Sequence, residues 1–464
     1  MSTDRRKFLK HLGTSVLLSS ASLTSLAAKE EHEIRTLSAQ KRVGPNDKIR
    51  IATIGMGIMG FNDTRAALSV PGVELVAACD LYKGRLDRAK EVYGANLFTT
   101  MDYRDILERK DVDAVIIATS DNWHSQISID AMHKGKAVYS EKPMVHQISQ
   151  GLGEIQVQKE TKMVFQVGSQ RISSIAYKKA KEMYDAGAIG KINSIEASFN
   201  RQDALGAWQY TIPTDGNIQN VDWSRFQANA KVKHDFDQKR FFRWRNYREY
   251  GTGVAGDLFV HLLTGIHYIT GSKGPERIYS IGDLAYWKDG RNVPDVMSAV
   301  VHYGETKEHP AFQVTLRVNF ISGEGDRTVT KIVGSEGVMD LGGEGDSFTI
   351  RNSKMAEAPG IGGWDSFFTY TEAQQKQLMD DYNKRWNETQ RMRPKFEPIT
   401  YRAPQGYNAS NEHFANFMDA VRNGTPVVED AVFGFRAAAP ALLCNDSYFN
   451  NKVINWDPAN MKIV

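Results

Sequence analysis

At 464 residues the chain is long enough to hold two domains with separate cores. Its composition, 41% hydrophobic and 24% charged, is that of an ordinary globular protein and excludes a disordered or collagen-like chain. The formal net charge is +3, and residues 1–28 carry four basic groups against one acid, so the remainder is near about 0 and leaves no electrostatic footprint for nucleic acid or an anionic membrane.

In chain order, the first segment is Asp4-Arg5-Arg6-Lys7-Phe8-Leu9-Lys10, followed by a mildly apolar stretch that closes on Ser25-Leu26-Ala27-Ala28. A twin arginine, a short apolar region and a small-residue cleavage site read as a twin-arginine export signal over 1–28, which predicts a periplasmic mature protein. The stretch is too short and too rich in Ser and Thr to span a membrane, and no cysteine stands near the cleavage site to anchor a lipid. Residues 29–47 are charged and unpatterned, a linker or arm.

From residue 48 the pattern alternates apolar strand and helix. Ile51 to Ile54 runs into Gly55-Met56-Gly57-Ile58-Met59-Gly60. In a dinucleotide fold the first glycine makes the turn, the second admits the pyrophosphate, and the third brings helix against sheet. Gly55, Gly57, Ile58, Met59 and Gly60 are therefore candidate cofactor contacts. The next strand, Val73 to Cys79, ends in Asp80, placed to hold the adenine ribose and to favour NAD over NADP, while Lys83 and Arg85 nearby temper that preference. Strands Ala114–Thr119, Ala137–Tyr139 and Met163–Val167 complete a predicted doubly wound parallel sheet over 48–168. Cys79 and Cys444 are read as packing residues.

After Gly168 the character changes. A helix from Ile175 to Ala186 precedes longer alternating strands at Ile192–Asn200, Met297–Tyr303, Phe312–Phe320, Val329–Val333, Val338–Leu341 and Phe348–Arg351. These predict a second, α+β domain over 169–404 with an open, mostly antiparallel sheet, the whole being an α/β protein. An open sheet face needs covering, so a homo-oligomer, dimer or tetramer, is expected. Residues 354–398 read as an insertion, and 405–464 as a helical segment packing back on the domains.

Two stretches carry candidate chemistry in this second part. Residues 199–250 are rich in aromatics interleaved with arginines, suited to stacking on sugar rings and binding hydroxyls or to plain packing. Arg171, Trp208, Arg243, Trp244 and Tyr250 are the candidate substrate contacts. Further on, Asp257 and His261 lie four apart in a glycine-entered helix and share a face. Imidazole can take a hydroxyl proton as hydride leaves, with the carboxylate orienting substrate or imidazole. With two ligands and no third, no metal is expected.

These elements together resemble the glucose–fructose oxidoreductase/inositol dehydrogenase/MocA family. The resemblance rests on the glycine loop, on Ala118-Thr119-Ser120-Asp121-Asn122-Trp123-His124, on Glu141-Lys142-Pro143 and on Asp257-x-x-x-His261, in order over about residues 48–460. Ser120 stands where the family has proline. The resemblance implies cofactor contacts at Asp80, Arg85, Thr119, Ser120, Asn122, His124, Glu141 and Lys142, a cis bond before Pro143, and catalytic roles for Lys142, His261 and Asp257. It implies an NAD-dependent oxidoreductase acting on a secondary hydroxyl of a sugar or glycoside, with carbon 3 favoured. Export adds that the cofactor is tightly bound and recycled by a second carbonyl substrate, since the periplasm offers no free NAD. One branch of the superfamily is an NAD-dependent glycosidase lacking the lysine of Glu-Lys-Pro, which Lys142 argues against. A non-catalytic sugar- or nucleotide-binding protein needs no such triad.

Overall fold

The computed structural model describes residues 48–343 and 345–464; the expected export signal and the linker over 29–47 lie outside the described residues. Strands β1 (Ile49–Ile54), β2 (Val73–Cys79), β3 (Phe98–Thr100), β4 (Ala114–Ile117), β5 (Ala137–Glu141) and β6 (Phe165–Gly168) form one parallel sheet in the order 3-2-1-4-5-6. Helices α1 (Ile58–Leu68), α2 (Lys83–Tyr93), α3 (Tyr103–Leu107), α4 (Asp121–His133) and α5 (Ile148–Thr161) connect them. All four residues of β4 are buried, as a parallel strand covered on both faces requires. The order reverses between β1 and β4, so a crevice opens at their carboxyl ends.

The second sheet has ten strands: β7 (Ile192–Asn200), β8 (Arg277–Asp283), β9 (Val296–Tyr303), β10 (Phe312–Asn319), β11 (Arg327–Gly334), β12 (Gly337–Leu341), β13 (Ser347–Asn352), β14 (Ile399–Arg402), β15 (Ile454–Asp457) and β16 (Lys462–Ile463). Its order is 14-13-12-11-7-10-9-8-15-16, and every pairing is antiparallel except β7 with β10. Alternation sets one face inward: Val314, Leu316 and Val318 are buried while Gln313, Thr315 and Arg317 face out.

Helix α6 (Ile175–Asp185) packs on this sheet, and a long excursion then runs from Arg201 to Gly251 through the short helices α7 (Trp223–Phe226) and α8 (Gln238–Phe242). A π-helical turn over Ala255–Phe259 leads into α9 (Val260–Thr270). The 354–398 insertion holds α10 (Glu372–Arg385) and α11 (Glu388–Arg391), neither with a buried residue. Helix α12 (Ala409–Asn423) returns to the first sheet, where Phe414 stacks on Tyr139 at 4.2 Å. Helix α13 (Ala431–Asn450) lies on β8 and α9, so the chain end touches both halves and also supplies two strands that the helical reading of 405–464 missed. Both cysteines are free and buried. No helix among the described residues is long and apolar enough to cross a membrane.

Candidate active site

At the crevice, the three glycines of the β1–α1 loop meet three different constraints. Gly55 has φ +95°, and a Cβ there would lie 2.5 Å from the Ala118 carbonyl oxygen. On Gly60 a Cβ would lie 1.9 Å from the Gly55 oxygen. For Gly57 the nearest atom to such a Cβ is Arg85 Cζ at 3.9 Å, so the backbone there is open to the cleft. Two glycines shape the loop and the middle one leaves room for a ligand, which is the cradle a dinucleotide needs. Ile58, at the start of α1, is 62% exposed on the cleft rim beside Met59.

Asp80, just past β2, is buried. Its Oδ2 accepts the Met56 amide and its Oδ1 the Tyr82 amide, both at 2.8 Å. The carboxylate therefore locks the glycine loop to the end of β2 as well as facing the cleft. Arg85 reaches Asp80 Oδ2 at 3.5 Å and lies over the ring of Phe242 at 5.6 Å. Thr119 and Ser120 line the cleft at the β4–α4 turn, opposite the glycine loop. Asn122 and His124 do not line it. Asn122 is tied to Asn229 and to the backbone of Tyr250, and His124 holds the carbonyls of Pro143 at 2.9 Å and Thr119 at 3.3 Å. Both stand behind the residues that line the cleft, and their hydrogen bonds hold the turns there. Gly60 likewise acts through packing.

At the far end of the cleft β5 delivers Glu141 and Lys142, with a cis bond before Pro143. Lys142 Nζ donates to Asp257 Oδ1 at 2.9 Å and to the Asp257 carbonyl at 3.1 Å. Arg245 Nε donates to the same Oδ1 at 3.2 Å. Burial pushes the Asp257 carboxyl up, but the charges of Lys142 and Arg245 overcome it and hold it well below the usual carboxylate range. Asp257 is thus the counter-ion of two cations. Asp257 lies in the π turn, and among the described residues His261 makes no hydrogen bond to it, although the carboxylate's charge is felt by the imidazole.

His261 lines the cleft one turn further on, with Phe199 beside it at 6.3 Å between ring centroids. Burial first, then the charges of Lys142 and Arg171, push its imidazole well below the ordinary histidine value, so it is neutral at pH 7. Glu141 is pushed up to about 7 by burial, against the opposing charge of Lys142, and accepts from Gln170 Nε2 at 3.0 Å.

Of the candidate substrate contacts, Trp208 and Trp244 line the cleft. Arg243 does not: its guanidinium is held by the Tyr210 carbonyl and the Gln209 side chain. Tyr250 is fully buried against Phe226 at 4.5 Å. Arg171 lines an adjoining cavity instead. The neighbours that do line the cleft, Arg201, Tyr210 and Arg245, were not singled out. For Arg245 the signal was weak, since four arginines alternate with aromatics between Arg240 and Arg248 and spacing alone does not say which turns inward.

Fold and site define an α/β protein whose parallel sheet carries a dinucleotide-type glycine loop, with that loop and an ionic cluster lining one cleft. The first part matches the oxidoreductase family with NAD-binding Rossmann fold, Gfo/Idh/MocA, over residues 49–169. Residues 224–340 match the C-terminal domain of the same family. Together these cover just over half of the chain, and the chain belongs to this family. It is 34% identical over 229 residues to scyllo-inositol 2-dehydrogenase (NAD(+)) of Bacillus subtilis, covering 46% of this chain and 66% of that protein. It is also 35% identical over 160 residues to a glycosyl hydrolase family 109 protein of Shewanella baltica, covering 30% of this chain and 33% of that one. The chain thus spans about two thirds or less of the curated relatives it matches. Among solved structures, scyllo-inositol dehydrogenase from Lactobacillus casei with bound NAD(H) and scyllo-inositol shares the fold, at TM-score 0.58 and 19% identity over 88% of this chain and 99% of that one.

Proposed function

We propose that this protein is an NAD-dependent oxidoreductase acting on a secondary hydroxyl of a sugar, polyol or glycoside. The observation that carries the reading is the Lys142–Asp257–Arg245 cluster with neutral His261 beside it, in the same cleft as the glycine loop. Bound NAD supplies the hydride acceptor. Gly55, Gly57 and Asp80 hold the dinucleotide, and Asp80 favours NAD over NADP because a second negative charge is unwelcome beside a buried carboxylate. His261, being neutral, takes the proton from the hydroxyl. Lys142 donates to the developing alkoxide oxygen and is held in place by Asp257. Trp244, half-buried at the cleft, supplies the apolar face on which a ring can lie, whereas Trp208 is buried edge-to-face against Phe320.

Carbon 3 is the favoured position on family analogy. The export signal makes the protein periplasmic, with NAD retained and reoxidised by a second carbonyl substrate; fractionation of cells producing the full chain and its Arg5→Lys/Arg6→Lys variant checks the location. A homo-oligomer covers the open sheet face, and sedimentation reads its size. The match to a family 109 glycosyl hydrolase favours a second reading, redox-neutral glycoside cleavage through transient oxidation. One experiment separates the two. Absorbance at 340 nm is followed on protein as purified, with inositols, free sugars and glycosides added and no cofactor supplied. A rise supports the dehydrogenase. Released sugar without a rise supports the glycosidase, and a protein that holds NAD but does neither with any of them sinks both.

A further inference from the structure

Beside the cleft lies a second cavity lined by Arg171, Phe199, Asn200, Arg201, Asp326 and Arg327, among others, and Arg201 lines both. The guanidinium groups of Arg171 and Arg201 sit over the ring of Phe199 at 5.4 and 5.1 Å, the same ring that neighbours His261. Among the described residues none of the three arginines forms an ion pair with a carboxylate. Arg201 spends one N–H on the Gly206 carbonyl at 2.9 Å. Among the described residues the one acid in the lining, Asp326, is exposed and accepts the Gln202 amide at 2.7 Å. Asn200 is 2% exposed, and its Oδ1 is buried without a hydrogen-bond partner, an arrangement that costs stability unless a ligand donates to it.

We infer that the substrate is an acidic sugar, its carboxylate or sulfate group seated on Arg171 and Arg201 in this side cavity, with a hydroxyl donated to Asn200 and the carbon to be oxidised facing His261. The inference rests on the dehydrogenase reading and narrows its substrate class. Two guanidinium forks are matched to a planar or tetrahedral oxyanion and hold it more tightly than a neutral hydroxymethyl group. The placement also couples recognition to chemistry. An anion here offsets the positive field of Arg171 and Arg201 on His261, so that binding the right substrate raises the imidazole's affinity for the hydroxyl proton.

The test is calorimetric titration of the NAD-loaded protein with methyl glucuronide, methyl glucoside and methyl glucoside 6-sulfate. At least one acidic glycoside is expected to bind about tenfold or more tighter than the neutral one, and the stronger of the two names the anion. The preference should shrink with added salt, narrow in Arg327→Glu and fall to about twofold in Arg171→Gln/Arg201→Gln. The exposed Arg327 reads the field without disturbing the core. Equal or tighter binding of the neutral glycoside, arginine variants that keep the preference, or no sugar binding at all overturns the acidic subsite. An acidic glycoside that binds but never raises the 340 nm absorbance leaves the subsite standing and counts against the dehydrogenase reading.

Discussion

Lys142 and Asp257 stand 115 positions apart in the chain and meet as a buried pair, Nζ to Oδ1 at 2.9 Å, with side chains only 9% and 6% exposed. Breaking such a pair from one side strands the other charge. Asp257→Ala leaves both Lys142 and Arg245 without their counter-ion, and is expected to cost about 3–5 kcal/mol in urea unfolding. Lys142→Met removes the donor that the proposed reaction assigns to the developing alkoxide. It should lower kcat by about 10²–10³ while bound NAD is retained, which absorbance and cofactor extraction check together.

The glycine loop makes a sharper prediction, because its members fail in different ways. Gly60→Ala forces a Cβ to 1.9 Å from the Gly55 oxygen, and the variant should lose thermal stability and cofactor together. Gly57→Ala meets nothing closer than 3.9 Å. It should fold with a Tm close to the parent yet bind NAD about tenfold or more weakly, since its methyl group fills space meant for the ligand. If Gly57→Ala binds NAD as the parent does, the loop is not the cofactor cradle.

Much of this fold is legible in the chain. Val73–Cys79 and Ile192–Asn200 have the bounds their residue pattern predicts, because β-branched runs ended by polar turns say where a strand stops. The edge strands β14 and β16 escaped, for none of their residues is buried and they owe their existence to a partner strand. In the site, Gly55, Gly57, Asp80 and Lys142 line the cleft, each at the end of a strand whose position the residue pattern gives. What spacing could not give is long-range pairing. Asp257 shares a helix with His261, yet its hydrogen-bonded charge partners come from the end of β5, at Lys142, and from the excursion, at Arg245. The same limit explains Tyr250 and Arg243, which belong to the packing of that excursion.

Buried carboxyls set an unusual pH dependence. Glu154 is wholly buried on α5, and burial pushes its carboxyl up to about 8 against the hydroxyls of Ser125 and Ser128. Its pKa is raised above the unfolded value, so the native state holds the proton more tightly. That stabilisation is fully present below about pH 4.5 and is lost as pH rises through about 8. The parent is expected to lose stability between pH 6 and 9, and Glu154→Gln to lose on the order of 2 kcal/mol less over that range. Urea midpoints at the two pH values decide it, and identical slopes would show that Glu154 does not carry the effect.

The excursion between Arg201 and Gly251 bears on how the cofactor is kept. It crosses from the second domain and fastens onto the first: the Lys83 amide donates to the Asn220 carbonyl at 2.9 Å, the Asp222 amide to Leu81 at 2.8 Å, and Trp123 Nε1 to the Phe226 carbonyl at 2.9 Å. Arg225 adds an ion pair to Asp102 at 3.2 Å. These contacts hold Phe226, Phe241 and Phe242 against the cleft wall on the Asp80 side, where Arg85 lies over the rings. On the proposed reading, a dinucleotide held in this cleft is retained by the strap as well as by the glycine loop, so its release is tied to loosening these bonds. Phe226→Ala, which empties the centre of the strap's small core, should raise the NAD dissociation rate by about tenfold or more. Stopped-flow displacement of NADH, read by its fluorescence, gives that rate directly. A rate unchanged in a variant whose strap core is demonstrably loosened would mean that retention resides elsewhere in the cleft.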